Sequence, residues 1–199
     1  KILGTDARNI DAAEDRFKFS SLLDRLNIQQ PQWDRFENIE VAKKFAHRIG
    51  YPVLIRPSYV LSGAAMSVVF GEDQLEKYLL NATNVSKEHP IVISKFITYA
   101  KEIEVDAVAD GRNVFIGAIV EHIENAGTHS GDATLVIPTF SISDEIKNRI
   151  RGFTRRIAKS LDIIGPFNIQ YIVKDGEIYV IECNLRASRS MPFVSKTTG

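Results

Sequence analysis

The stretch Pro166–Arg189, PFNIQYIVKDGEIYVIECNLRASR, constrains the fold more than any other part of the chain. Two runs, Phe167–Val173 and Ile178–Asn184, flank Asp175-Gly176, a strong hairpin-turn signal. Strand side chains alternate between faces, so Ile169, Tyr171, Val173, Tyr179, Ile181 and Cys183 are expected on one apolar face. Asn168, Gln170, Glu182 and Asn184 are polar and occupy even positions. A solvated sheet face usually carries Lys, Thr and scattered charge. Here one carboxylate stands among three amides, all of them oxygen donors suited to a hard cation such as Mg²⁺. Arg186 and Arg189 follow at once, and the arginine fork matches phosphate oxygens. Metal ligands beside phosphate ligands suggest a metal–nucleotide site; a plain solvated hairpin is the alternative.

Register decides whether that site can form. A two-residue Asp175-Gly176 loop would place Gln170 and Glu182 on opposite faces, because a one-residue shift reverses every side chain. A three-residue loop, Lys174-Asp175-Gly176, brings Asn168, Gln170, Glu182 and Asn184 together, with Gly176 in a G1 bulge. The expectation is therefore the three-residue loop, with Asn168 opposite Glu182 and Gln170 opposite Val180.

At 199 residues the chain can bury a core as one domain or two lobes. Its 25 basic and 25 acidic residues give no net charge, which argues against nucleic acid or an anionic membrane as the main partner. One Cys leaves no internal disulfide framework and fits a reducing compartment. No apolar run approaches the roughly 18 residues of a membrane span, and no signal peptide opens the chain. Beginning at Lys1 and stopping at Gly199 without a cap, it reads as a piece of something longer.

In chain order, Asp11-Ala12-Ala13-Glu14 resembles a capping box before a helix reaching about Leu26, with Phe19, Leu22, Leu23 and Leu26 as its apolar stripe. Arg16 lies off that stripe and by itself reads as a solvated side chain. A helix over Ile39–Ile49 stops at Gly50-Tyr51-Pro52. The apolar strand Val53–Ile55 runs into Arg56, a charge that needs an anion at such a place. Residues 59–65 form a loop able to cover a ligand, before a return strand Met66–Phe70 and a helix Glu72–Ala82. A lobe boundary is expected near Glu88–Pro90, dividing the chain into 1–90 and 91–199. Strand Ile91–Ser94 follows, and then an antiparallel pair, Glu102–Ala109 and Val114–Val120. Glu102, Glu104 and Asp106 recur every second residue; such a face is usually solvent-exposed, and the alternative is a carboxylate that accepts from ribose hydroxyls. Gly127–Asp132 reads as a hydrogen-bonding cradle or an ordinary turn rather than a hydrolase triad, whose members come from distant segments. Strand Thr134–Ile137, helix Ser143–Leu161 and a break at Gly165-Pro166 lead into the hairpin. No zinc spacing, Rossmann fingerprint or P-loop is present.

Three long ordered segments carry a resemblance: Arg56–Met66, RPSYVLSGAAM; Glu121–Asp132, EHIENAGTHSGD; and Ile181–Ser190, IECNLRASRS, followed by Pro192–Lys196. Together they resemble the large chain of carbamoyl phosphate synthetases, and in particular its second, carbamate-phosphorylating ATP-grasp half in the eukaryotic wording. The resemblance covers essentially the whole chain. It implies an α+β fold of two ATP-grasp lobes with the nucleotide between them. It also implies ATP and Mg²⁺ (or Mn²⁺) as cofactors, and phosphorylation of carbamate to carbamoyl phosphate. Carried over residue by residue, it assigns Arg16 and Arg56 to ATP phosphates and Lys95 and Ile97 to the adenine. Glu102 falls at the ribose, with Gly127, Thr128, His129 and Ser130 around the nucleotide; Thr128 replaces the Val expected in the family. Gln170, Glu182 and Asn184 become metal ligands, Gln170 and Glu182 also touching ATP, and Arg186 and Arg189 the catalytic arginines. The implied partners are the remaining synthetase domains, including the first ATP-grasp half and a glutaminase or equivalent. The implied location is cytoplasmic, or alternatively the mitochondrial matrix. A biotin-carboxylase-like ligase and a non-catalytic nucleotide-binding regulatory module are the alternatives.

Overall fold

The computed structural model describes residues 2–57, 66–85, 90–128 and 132–199. The chain is α+β and divides into two compact units, one of residues 1–14, 18–30 and 98–199 and the other of residues 15–17 and 31–97. This differs from a division at Pro90. The strand Ile91–Lys95 belongs to the sheet of the second unit rather than opening the C-terminal lobe, and most of the first 30 residues pack with the C-terminal sheet.

The smaller unit has a four-stranded antiparallel sheet built from β1 (Trp33–Phe36), β2 (Val53–Pro57), β3 (Ser67–Val69) and β4 (Ile91–Lys95), in the order β1-β4-β2-β3. The short β1 carries no alternation long enough to reveal it in sequence. Helices α3 (Ile39–Ile49) and α4 (Glu72–Val85) bury Ala42, Phe45, Leu75 and Leu79 together with Val53, Ile55 and Ile93. Asn38 caps α3 by accepting from Glu40 N at 2.8 Å and Val41 N at 3.2 Å. Gly50, at φ 73°, ends it.

The larger unit opens with α1 (Ala7–Glu14) and holds α2 (Arg16–Arg25) from Lys18 onward, where the sequence suggested one helix from Asp11. The cap is Asp6, whose Oδ1 accepts from Arg8 N at 2.9 Å, and the helix breaks at Asp15. The expected stripe holds, with Phe19, Leu22 and Leu23 buried. A five-stranded antiparallel sheet follows, made of β5 (Lys101–Asp110), β6 (Val114–Asn125), β7 (Leu135–Val136), β8 (Ile164–Lys174) and β9 (Glu177–Asn184), in the order β7-β6-β5-β8-β9. Helix α5 (Asp144–Ser160) and α2 cover one face, over Ile103, Val105, Phe167, Ile169 and Tyr171. A last helix, α6 (Met191–Thr198), was not anticipated. Nor is Pro166 a break; it lies within β8 opposite Val108, beyond Asn168, where β9 has already ended and no amide is needed. Among the described residues no helix is long and apolar enough to cross a membrane.

The hairpin forms, but not in the expected register. Lys174 pairs with Glu177, so the loop is the two residues Asp175 and Gly176, at φ 52° and 80°, as a type I′ turn requires. The residue thus left over is absorbed further along: Gln170 pairs with Glu182 and Tyr171 with Val180, and Ile181 is the extra residue of a β-bulge. Parity therefore changes along β9. Ile178, Val180 and Cys183 face the core, not Tyr179, Ile181 and Cys183. Asn168 opposes Asn184 rather than Glu182, and Gln170 opposes Glu182 rather than Val180. The shared face survives because bulge and turn compensate each other.

Candidate functional site

Alternation on the central strands generates the site. With Ile103, Val105 and Ala107 of β5 turned to the core, Glu102, Glu104 and Asp106 emerge on the other face. Register lines them up with the hairpin: Glu104, Gln170 and Glu182 form one cross-strand row, and Asp106, Asn168 and Asn184 the next. This acidic face is not solvent-exposed, as its spacing alone suggested. Glu102, Glu104 and Asp106 are 8%, 2% and 0% exposed.

Buried carboxylates require donors. Glu104 has His122 Nε2 on β6 at 3.1 Å, Asn168 Nδ2 at 3.2 Å, Ser190 Oγ at 3.2 Å and Gln170 Nε2 at 3.3 Å. Desolvation pushes its pKa up, but the His122 hydrogen bond and charge, with Asn168 and Ser190, hold it below the ordinary value. His122 shows the mirror image: burial disfavours its charge, yet Glu104 and Glu102 raise its pKa overall. The other ring nitrogen, Nδ1, is buried and has no hydrogen-bond partner among the described residues. Glu102 is raised, chiefly by burial, with His122 and the amide of Gly127, 3.3 Å from Oε2, opposing the shift. Glu102, Glu104 and His122 bring their ligand atoms within 4.8 Å of one another.

The hairpin side of the face is chemically distinct. Gln170 directs its amide nitrogen to Glu104, which leaves its carbonyl oxygen as the atom available to a cation. Glu182 Oε1 accepts from Asn184 Nδ2 at 2.9 Å, and an amide rotation would present the Asn184 oxygen instead. One carboxylate and two amide oxygens from adjacent positions fit a hard, octahedral, oxygen-seeking ion such as Mg²⁺, which keeps part of its water shell.

The other expected residues divide between the units. In the larger one Gly127 and Thr128 follow β6, and Arg186 and Arg189 are exposed on the connection between β9 and α6. His129 and Ser130, like the loop 59–65 and most of the expected boundary at 88–90, lie outside the described residues. In the smaller unit Arg16 begins α2, and Arg56 Nη2 donates to Ser94 Oγ at 3.2 Å. Lys95 Nζ donates to the carbonyls of Gly50 and Tyr51 at 2.9 and 2.8 Å, so its ammonium closes the end of α3, and burial lowers its pKa. Since Lys95 opposes Val53 and Arg56 opposes Val92, the two residues are three rungs apart on the β2–β4 ladder, about 10 Å along it, and their side chains leave opposite faces of the sheet. Ile97 is the second residue beyond β4.

Sequence reasoning missed Glu104, Asp106, His122, Ser188 and Ser190 as parts of the site, and read Asn168 as an oxygen donor for a cation, where the structure turns its amide nitrogen to Glu104 and Asp106. The every-second-residue acids were the available signal. Their burial depends on donors 18 to 86 residues away in the chain, as with His122 and Glu104 at a separation of 18 and Ser190 and Glu104 at 86.

A family model described as carbamoyl-phosphate synthase L chain, ATP binding domain, matches residues 15–199. The arginine-specific large chain of carbamoyl phosphate synthase from Cutaneotrichosporon cutaneum is 56% identical over 205 residues, covering 100% of this chain and 17% of its own length. The mitochondrial, ammonia-type carbamoyl-phosphate synthase of Rattus norvegicus is 54% identical over 199 residues, covering 100% of this chain and 13% of its own. The chain thus spans only 9% to 17% of the length of such relatives. Among solved structures, biotin carboxylase from Campylobacter jejuni superposes with a TM-score of 0.86 at 21% identity, over 97% of this chain and 45% of that one. The biotin carboxylase domain of 2-oxoglutarate carboxylase from Hydrogenobacter thermophilus, solved with MgADP, ADP and bicarbonate, gives 0.84 at 20% identity, over 97% and 44%. At such identities the likeness shows the fold, which is ATP-grasp. The sequence relatives go further than the fold: the chain belongs to the carbamoyl-phosphate synthase large-chain ATP-binding family.

Proposed function

We propose that these residues form the second ATP-grasp half of a carbamoyl phosphate synthetase and phosphorylate carbamate with ATP and Mg²⁺. The observation that carries this reading is the row Gln170–Glu182 with Asn184 beside it, an oxygen-only ligand set followed at once by Arg186 and Arg189. A carbamate oxygen attacks the γ-phosphorus of ATP, the bond to the β,γ-bridging oxygen breaks, and carbamoyl phosphate and ADP result. Such a transfer asks for in-line placement and charge neutralisation rather than covalent help. Mg²⁺ held by Gln170, Glu182 and Asn184 would neutralise phosphate oxygens. Arg186 and Arg189 bind the transferring group and the small acceptor, while Arg16 and Arg56 take ATP phosphates. Lys95 and Ile97 serve the adenine through the strand-end backbone, since the Lys95 ammonium is engaged at α3. Glu102 accepts from the ribose, and Gly127, Thr128, His129 and Ser130 surround the nucleotide.

The reading extends to pyrimidine, arginine or urea-cycle supply, with the first ATP-grasp half and a glutaminase or equivalent as partner domains; the multidomain relatives, of which this chain covers only a part, support the presence of further domains. Mn²⁺ would satisfy the same ligands, and the cytoplasm or the mitochondrial matrix is the location. The decisive experiment measures ADP release with and without carbamate, and ATP formation from carbamoyl phosphate and MgADP. Carbamate-dependent ADP and the reverse transfer are expected. Nucleotide binding with neither activity would overturn the reading in favour of a regulatory module.

A further inference from the structure

Asp106 lies one row from Glu104, on the same polar face as the proposed metal ligands. Its side chain is fully buried, and its carboxylate accepts from Asn168 Nδ2 at 2.9 Å, Ser188 Oγ at 2.5 Å and Ser190 Oγ at 2.6 Å. Two of these donors belong to the connection that leaves β9, not to the sheet. Ser190 occupies the cap position of α6 but makes no capping bond there; its hydroxyl turns to Asp106, and also to Glu104 Oε2. Ser188 Oγ lies 2.9 Å from Ser190 Oγ and accepts from Met191 N at 3.0 Å, which ties the first turn of α6 to the same carboxylate.

The mechanical consequence falls on the arginines. Arg189 sits between the two anchored serines and Arg186 two residues before the first. Both are exposed, on backbone that belongs to neither β9 nor α6. Without the anchors, the path between strand and helix would be set by local turn preferences alone. Short O–H···O bonds to a carboxylate are among the stronger hydrogen bonds, and in a buried place they have no water to compete with.

We propose that Asp106 is a positioning residue for phosphoryl transfer: through Ser188 and Ser190 it fixes the segment that presents Arg186 and Arg189. The proposal rests on the role assigned to those arginines above. The competing view is that the network merely docks α6, whose Val194 packs with Ala118 and Val120. Docking alone would be felt in stability and not in the chemical step.

The test compares Asp106→Asn, Ser190→Ala and the hydroxyl-retaining Ser190→Thr in the intact polypeptide that carries this segment. It measures ATP formation from carbamoyl phosphate and MgADP, and amide hydrogen exchange across residues 185–190. Asp106→Asn and Ser190→Ala should lower kcat about 10- to 100-fold, the scale of an ångström-level misplacement, with KM for MgADP unchanged. Ser190→Thr should keep most of the activity, exchange at Arg186–Arg189 should quicken in the other two, and the double variant should be less than additive. Lower thermal stability with an unchanged kcat would overturn the proposal, as would unchanged exchange. Should the wild type form no ATP, the reaction assignment fails, and exchange by itself decides the positioning claim in the same two directions. If Asp106→Asn does not fold, the Ser190 pair carries the same readouts, since it leaves Asp106 two other donors.

Discussion

Replacing His122 by Asn removes the cationic partner of Glu104 from the middle of the polar face. Both residues are buried, with Nε2 and Oε1 3.1 Å apart. Breaking a buried pair by deleting one member costs about 3–5 kcal/mol. Glu104 keeps Asn168, Gln170 and Ser190 as donors, so the loss should sit near the lower limit, about 3 kcal/mol. Its pH dependence follows from the directions of the two shifts. Burial opposes the His122 charge, but Glu104 and Glu102 raise its pKa above 6.5. Its contribution is therefore complete below 6.5 and fades as pH rises through the folded-state value. Glu104 is lowered below 4.5 despite desolvation, so its contribution is present above 4.5 and is lost as pH falls through the folded value. The stability gap between wild type and His122→Asn should be widest between pH 4.5 and 6.5. At higher pH it should narrow toward the roughly 1 kcal/mol of a neutral hydrogen bond. Equilibrium urea unfolding at one pH inside that window and two above it reads the gap directly. A gap that is constant, or that widens with pH, would refute the charged-pair account.

Three further outcomes can be checked. Glu182→Gln should leave the fold intact and keep a hydrogen bond to Asn184, while Mg²⁺-dependent turnover falls by orders of magnitude; unchanged metal dependence would remove Glu182 from the ligand set. Tyr171→Phe takes a buried hydroxyl away from Thr154 Oγ1, 2.8 Å distant, which still donates to Ile150 O at 2.9 Å. It should cost about 1 kcal/mol by thermal melting, and a loss as large as that of Tyr171→Ala would contradict the geometry. Lys95→Met opens the carbonyl end of α3 and should lower the melting temperature with little effect on ATP affinity; the reverse pattern would mean that the ammonium itself serves the nucleotide.

Much of this protein is written in short-range chemistry. The stripe Phe19–Leu22–Leu23 and the α3 stop at Gly50 were readable because each depends on neighbours within a few residues. The Asp175-Gly176 hairpin was readable for the same reason. The groups of the proposed site were legible too: a carboxylate among amides followed by two arginines suggests a cation and phosphates, with a solvated hairpin as the alternative. Register was not. A two-residue turn with a bulge at Ile181 and a three-residue loop without one give the same shared face, and only the ladder selects between them. Burial of the acidic row was equally hidden. Alternation placed Glu102, Glu104 and Asp106 on one face, but whether that face meets water depends on remote parts of the chain. His122, Asn168, Ser188 and Ser190 come from another strand, the hairpin and the turn before α6. The sequence determines which groups each strand carries and, where the ladder has no bulge, on which side. Tertiary structure decided which of them exchange water for one another, because a buried carboxylate persists only where the rest of the chain brings it donors.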